Sequence, residues 1–364
     1  MKKYSVILLF ISLSATSQSP GTITGNPDTS YTNHSAYLST KKKYPDIQLV
    51  EELHSPAIKE KKNVAYCTIK NSGGERKLML DAFYPTEITK IKRTAILIIH
   101  GGRWRSGNRN QHYALAQRLA LLGYVCFTPE YRLSTEALFP AAVHDLKAAV
   151  KWIRKHGSEY NIDTSKITAL GFSAGGELAA FLGNTNGKGE YDSLCDPSTS
   201  SSVNAIIDID GTLSFVHTES GEGDDSKKIS AATAWFGVPK KDNLQLWEEA
   251  SPLSHAGPNT VPTLFINSSV ERMHAGCEDY ISILKKHSIY TEVHEFPDSP
   301  HSFILFHPWI DPAIKYMDDF LKKIFHKNPY FSVMNLKILN TIIFLIIEKW
   351  LKETVIITTK PLSK

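Results

Sequence analysis

The chain has 364 residues, 42% of them hydrophobic and 21% charged, with 21 glycines and 18 prolines. Glycine and proline make up about a tenth of the chain beside ample apolar material, which excludes disordered, collagen-like and disulfide-knot classes and leaves one large or two ordinary domains. The formal charge is +4, but residues 1–17 hold two lysines and 328–364 hold five against two glutamates, so 18–327 carry −1. A near-neutral body lacks the basic footprint that a nucleic-acid partner requires.

At the start, Lys2 and Lys3 precede an apolar run containing Val6, Ile7, Leu8, Leu9, Phe10 and Ile11. Ala15-Thr16-Ser17 then offers a small-x-small cleavage pattern, with Gln18 as the first mature residue. This pattern predicts a signal peptide over 1–17 and a secreted or periplasmic protein. The run is too short to span a bilayer, so no stable membrane insertion is expected. The polar stretch 18–58, with Lys41-Lys42-Lys43, is expected to wrap the surface.

Residues 59–327 form the body. Runs 64–69 and 77–83 predict two strands joined by a turn at Gly73-Gly74. A continuous apolar strand follows at 95–99, a helix at 111–122 ending on Gly123, and a strand at 124–128. Within 139–156, Val143, Leu146, Val150 and Ile153 recur three or four apart, one face of a helix. Strands are predicted at 167–170, 203–209, 263–266 and 290–296, with a closing helix over 313–325, while 184–202 and 217–230 read as loops or a cap. Continuous apolar strands interleaved with helices predict an α/β fold, a mostly parallel sheet covered on both faces. Chemistry in such sheets gathers at the carboxyl ends of the strands. The tail, 328–364, has an apolar burst at 342–347 broken by Glu348, Lys349 and Lys352, and no role is assigned to it.

Four cysteines, Cys67, Cys126, Cys195 and Cys277, allow two bridges in an exported chain, and their pairing is not readable from spacing. Cys126, between Val125 and Phe127, reads as a packed thiol. No Cys-x-x-Cys or His-Glu-x-x-His spacing occurs, so no metal or redox cofactor is expected.

The sharpest motif is Gly171-Phe172-Ser173-Ala174-Gly175-Gly176. A predicted strand runs into it and a helical pattern leaves it, which is the strand–turn–helix context of a nucleophile elbow. Ser173 is the expected nucleophile. His100-Gly101-Gly102-Arg103-Trp104 directly follows the strand at 95–99, and its backbone amides are placed to stabilise an oxyanion. The amide of Ala174 is expected to pair there with one from Gly102 or Arg103, while His100 shapes the loop. The general base is expected to be His301, in Asp298-Ser299-Pro300-His301, ahead of His274, His294 and His307. For the acid, Glu271 stands first, after the strand at 263–266, with Asp298, Glu278 and Asp279 as alternatives.

Together these residues resemble the alpha/beta-hydrolase superfamily over roughly residues 60–326, in its esterase branch with a His-Gly-Gly oxyanion loop. Pro129-Glu130-Tyr131-Arg132-Leu133 and Phe139-Pro140-Ala141-Ala142-Val143-His144-Asp145 are similar to hormone-sensitive-lipase and feruloyl-esterase-like groups. The segments 267–276 and 301–309 resemble secreted bacterial carbohydrate esterases of the pectin acetylesterase-like or acetyl-xylan-esterase-like kind. The resemblance implies a cofactor-free serine esterase that removes acetyl or feruloyl groups from plant polysaccharide. Two positions depart from the family pattern: Arg103 replaces a third glycine, and Glu271 stands where an Asp is usual. Trp104, Phe172 and Trp309 lie beside the motifs and are expected to offer a stacking floor for the substrate, an expectation they share with an ordinary core role. Arg103 and Arg105 are placed to meet uronate carboxylates. The competing functions are a general carboxylesterase or lipase and, in another class, a non-catalytic binding module.

Overall fold

The computed structural model describes residues 23–325 apart from 72–73 and 193. The leader, the Gly73 half of the expected turn and the tail 328–364 lie outside the described residues. The first elements in chain order are α1 (Asn33–Thr40), β1 (Gln48–Leu49), β2 (Ile58–Asn71), β3 (Gly74–Pro85), β4 (Arg93–Ile99), α2 (Tyr113–Leu121), β5 (Val125–Pro129) and α3 (Ala141–Lys155). Then come β6 (Ile162–Phe172), α4 (Ala174–Asn184), β7 (Ala205–Ile209), α5 (Ala231–Phe236) and α6 (Leu244–Glu249). The last are β8 (Thr263–Ser268), α7 (Cys277–Lys286), β9 (Thr291–Phe296), β10 (Phe306–His307) and α8 (Ile310–Phe325).

Eight of the strands form one sheet in the order β2-β3-β5-β4-β6-β7-β8-β9. β2 and β3 make an antiparallel hairpin, β3 meets β5 antiparallel, and every pairing from β5 through β4 to β9 is parallel. β5 and β7 are buried along their whole length, as strands covered on both faces must be. The chain leaves β4 to build β5 on one side and returns to build β6 on the other. That reversal opens a crevice beyond Ile99 and Phe172, the point in such sheets where ligands bind.

The expected strands and helices are present with shifted ends. The helix expected at 111–122 starts two residues later, because Arg109–His112 forms a 3-10 turn capped by the Asn108 side chain. Short elements without a long apolar period, α1, α5, α6 and α7, lie in stretches for which no helix is predicted.

The described part of the N-terminal segment, residues 23–58, runs along the loops beyond the strand ends. Thr24 and Gly25 donate backbone N–H groups to Thr135, and Asp28 accepts from Gly107. The Thr40 and Ser302 hydroxyls lie 3.0 Å apart, and β1 pairs with β10.

A disulfide joins Cys67 on β2 to Cys195, 128 residues later, in the loop beyond α4. Cys126 and Cys277 are free and buried, and burial pushes both thiols up. No described helix is long and apolar enough to cross a membrane. The chain divides into two compact units, Met1–Ile314 and Lys315–Lys364. The second is described only along the end of α8, where Lys315 pairs with Asp319 and Lys322 with Asp318.

Candidate active site

Ser173 stands between the last residue of β6 and the first of α4, with φ 58° and ψ −122°. This left-handed conformation is costly for a side chain other than glycine and survives only where its surroundings hold it. Here the Ser173 N–H donates to Ile209 at 2.8 Å, and its carbonyl accepts from Gly176 and Glu177. The turn is also packed too closely for side chains at its flanks. A Cβ on Gly171 would lie 1.8 Å from the Gly175 carbonyl oxygen, and one on Gly175 would lie 2.1 Å from that of Ile99.

The strained turn aims the hydroxyl at His301, whose Nε2 is 2.9 Å from Ser173 Oγ. His301 Nδ1 is 2.8 Å from Asp210 Oδ2. Asp210 is the first residue beyond β7 and is fully buried. Its Oδ1 accepts the Ser268 N–H at 2.7 Å and lies 3.3 Å from His274 Nδ1. Burial would raise this carboxyl. Hydrogen bonds from His274 and His301, the charge of His301 and the bond from Ser268 outweigh that, holding it below the usual carboxylate range.

The expectation for the acid is therefore corrected: Asp210, not Glu271, holds His301. Glu271 is exposed at the head of a 3-10 turn, Glu271–His274, that follows β8. Asp298 and Glu278 are also exposed, and Asp279 faces His217. Asp210 follows β7, the strand beside β6, and so starts next to Ser173. The available signal was Asp210-Gly211 directly at the carboxyl end of the predicted strand 203–209.

A second carboxyl, Asp208, lies two residues earlier and accepts the Gly211 N–H at 2.8 Å. Burial raises its pKa well above the usual value and the charge of Asp210 adds to this, while the Gly211 bond opposes it.

The loop after β4 supplies the opposite wall. Gly102, Arg103 and Trp104 all have positive φ, at 127°, 59° and 56°. A Cβ on Gly102 would sit 1.8 Å from the Ser106 carbonyl oxygen, so this position needs glycine. His100 anchors the loop. Its Nδ1 is 2.9 Å from the Gly101 oxygen, its ring stacks on Tyr131 at 4.4 Å, and the Tyr131 hydroxyl donates to its carbonyl. Burial lowers its pKa to about 4, so it is neutral. The amides of Gly102, Arg103 and Ala174 make no hydrogen bond among the described residues, and all three residues line one cavity with Ser173 and His301. That cavity holds about 350 Å³, and Tyr31, from the N-terminal segment, closes part of its wall.

A serine, imidazole and carboxylate in line, beneath unbonded main-chain amides, can carry out acyl transfer. The BD-FAE family model matches residues 80–274, more than half of the chain. The chain belongs to the BD-FAE family. It is 25% identical over 244 residues to the esterase LipC of Mycobacterium tuberculosis, covering 64% of this chain and 59% of LipC. It is 26% identical over 242 residues to the esterase LipQ of the same organism, covering 64% of this chain and 56% of LipQ. The chain thus spans less than two thirds of either relative. Among solved structures, a truncated carbohydrate esterase from gut microbiota superposes with a TM-score of 0.61 at 24% identity, covering 75% of this chain and 99% of that one. The apo form of Thermogutta terrifontis esterase 2 gives 0.60 at 23%, covering 75% and 97%. These likenesses place the fold among the alpha/beta hydrolases.

In this BD-FAE chain the three expected aromatic residues go to different places. Trp104 lines the cavity with part of its surface but is almost fully buried. Its ring stacks on Trp235 at 5.0 Å and meets Phe215 edge-on. Phe172 is buried beneath His301, 4.9 Å between rings, and is not among the cavity-lining residues. Trp309 packs edge-on against Tyr44 and is likewise not among them, because the N-terminal segment covers that side.

Sequence reasoning missed Glu177, one turn into α4. It is fully buried, and its Oε2 accepts the Trp104 indole N–H at 2.8 Å while Oε1 has no partner. Burial raises its pKa well above the usual carboxyl range, the indole bond opposes this, and the charge of Asp208 adds to it. The bond ties the loop after β4 to α4, the helix that begins at Ser173.

Proposed function

We propose that the protein is a secreted serine esterase that removes short acyl groups, foremost acetyl, from plant cell-wall polysaccharide through an acyl-enzyme intermediate. The observation that carries the reading is the Ser173–His301–Asp210 line, with separations of 2.9 and 2.8 Å, facing amides that have no partner among the described residues. In this mechanism His301 Nε2 takes the Ser173 proton as Oγ attacks the ester carbonyl. Negative charge then builds on the carbonyl oxygen between the amides of Ala174 and of Gly102 or Arg103. Each such donor is typically worth ~10²–10³ in rate. His301 passes its proton to the leaving alcohol, and Asp210 supports the imidazolium between the two transfers. Water, deprotonated by the same imidazole, splits the acyl-enzyme to the acid and restores the serine.

The named esterase relatives and the carbohydrate esterase fold neighbour support the chemistry. A cavity of about 350 Å³ lies at the small end for ligand pockets and favours short acyl groups over long chains. The Cys67–Cys195 bridge supports an oxidising compartment. A chain-length series of 4-nitrophenyl esters, followed by acetate release from acetylated xylan and pectin, tests the reading. The expected result is highest kcat/KM on acetate or propionate, with acetate freed from a polymer. A maximum at octanoate or beyond assigns the protein to lipid esters instead.

A further inference from the structure

We infer that the cavity beside Ser173 takes an ester that carries a carboxylate next to its scissile bond, held between Arg103 and Arg272. The inference rests on the esterase reading above and names its substrate class.

The chain has nine arginines. Arg76, Arg93, Arg109 and Arg132 each form an ion pair with a carboxylate. Arg118 and Arg154 donate to main-chain carbonyls. Arg105 faces the charge of Asp28. Arg103 and Arg272 differ, because neither has a hydrogen bond or ion pair among the described residues and both line the catalytic cavity. They reach it from opposite sources, Arg103 from the loop after β4 and Arg272 from the turn after β8, where its stem lies beside Gly221.

The acidic groups on the same wall are turned to other partners: Asp210 faces two imidazoles, Glu222 accepts the Ala232 N–H at 2.9 Å, and neither forms an ion pair with Arg103 or Arg272 among the described residues. Tyr31 also lines the cavity, and burial pushes its phenol up to about 12, so it adds a neutral hydroxyl near Arg103 rather than a charge. Two exposed arginines without an ion-pair partner on the wall of one cleft raise the local concentration of anions, and their guanidinium forks match the planar geometry of a carboxylate. The carboxylate has two chemical sources. It can belong to the acyl side, as in a half-ester of a dicarboxylic acid, or to the alcohol side, as in an acetylated uronic acid.

The test compares kcat/KM within two matched pairs. One pair is the 4-nitrophenyl half-ester of succinic acid against 4-nitrophenyl butyrate. The other is an acetylated oligogalacturonide against its carboxyl-methylated form. The expected result is that the anionic member of at least one pair is favoured about tenfold, in line with a charged hydrogen bond. That preference should shrink in high salt and fall several-fold in Arg272→Gln, further in the double variant with Arg103→Gln. The responding pair identifies the source. Equal or better turnover of the neutral member in both pairs overturns the inference, as does a preference that survives the double variant. Absence of hydrolysis of any ester, 4-nitrophenyl acetate included, would instead remove the esterase reading beneath it.

Discussion

Asp210 and Asp208 are two carboxyls at one strand end whose pKa values are pushed in opposite directions. Burial acts against charge at both sites. At Asp210 it is outweighed by two imidazoles and the Ser268 amide, while at Asp208 only the Gly211 amide opposes it. Because the Asp210 carboxyl is held low, its contribution to stability is present above the ordinary carboxylate value of about 3.9 and is lost only as pH falls through its lower folded value. Asp210→Asn is expected to cut kcat by ~10⁴ at neutral pH, since the imidazole loses the partner that orients it and offsets its charge. Glu271→Gln should leave kcat near that of the parent, because Glu271 is exposed and both ring nitrogens of His301 are taken by Asp210 and Ser173. Steady-state kinetics of the two variants decide between the acids, and the reverse ranking would restore Glu271.

At the scale of elements, the site is an agreement between the loop after β4 and the start of α4. Both carry residues in the left-handed region, and the Trp104–Glu177 bond fixes one against the other. The fold raises the Glu177 carboxyl above the pKa of about 4.3 it has once unfolded, so between the two values the folded state binds the extra proton. Its contribution to stability is complete below about pH 4.3 and is lost as pH rises toward its raised folded value. Glu177→Gln keeps an acceptor for the indole and removes the titration, so its melting temperature should fall less steeply than the parent's between pH 5 and 8. Parallel melting curves would show that Glu177 does not carry this proton. The sheet and its long helices were legible because apolar period and length are local signals. Ser173 and His301 were legible for a related reason, since each sits in a motif that ends a strand. The acid was not, because the choice among Asp and Glu residues depends on which strand lies next to β6. That order is set by long-range pairing and leaves no local trace. Glu177 was hidden in the same way, its role depending on an indole 73 residues away in sequence.

For the whole molecule, two long-range ties bear on the cleft. The N-terminal segment lies along the strand-end loops and lends Tyr31 to the cavity, so a stretch read as surface wrapping also shapes the site. The Cys67–Cys195 bridge closes a loop of 128 residues that contains both the oxyanion loop and Ser173. Removing it by Cys67→Ser with Cys195→Ser should cost about 2–5 kcal/mol of unfolding free energy, read as a lower denaturant midpoint. An unchanged midpoint would mean that the reduced chain is held as firmly by packing alone. The most direct measurement is covalent capture by a fluorophosphonate probe, followed by intact mass and peptide mapping. The account predicts one adduct per chain, on Ser173, absent from Ser173→Ala and formed far more slowly in His301→Ala. A folded parent protein that takes up no probe, or takes it up on another side chain, would contradict it.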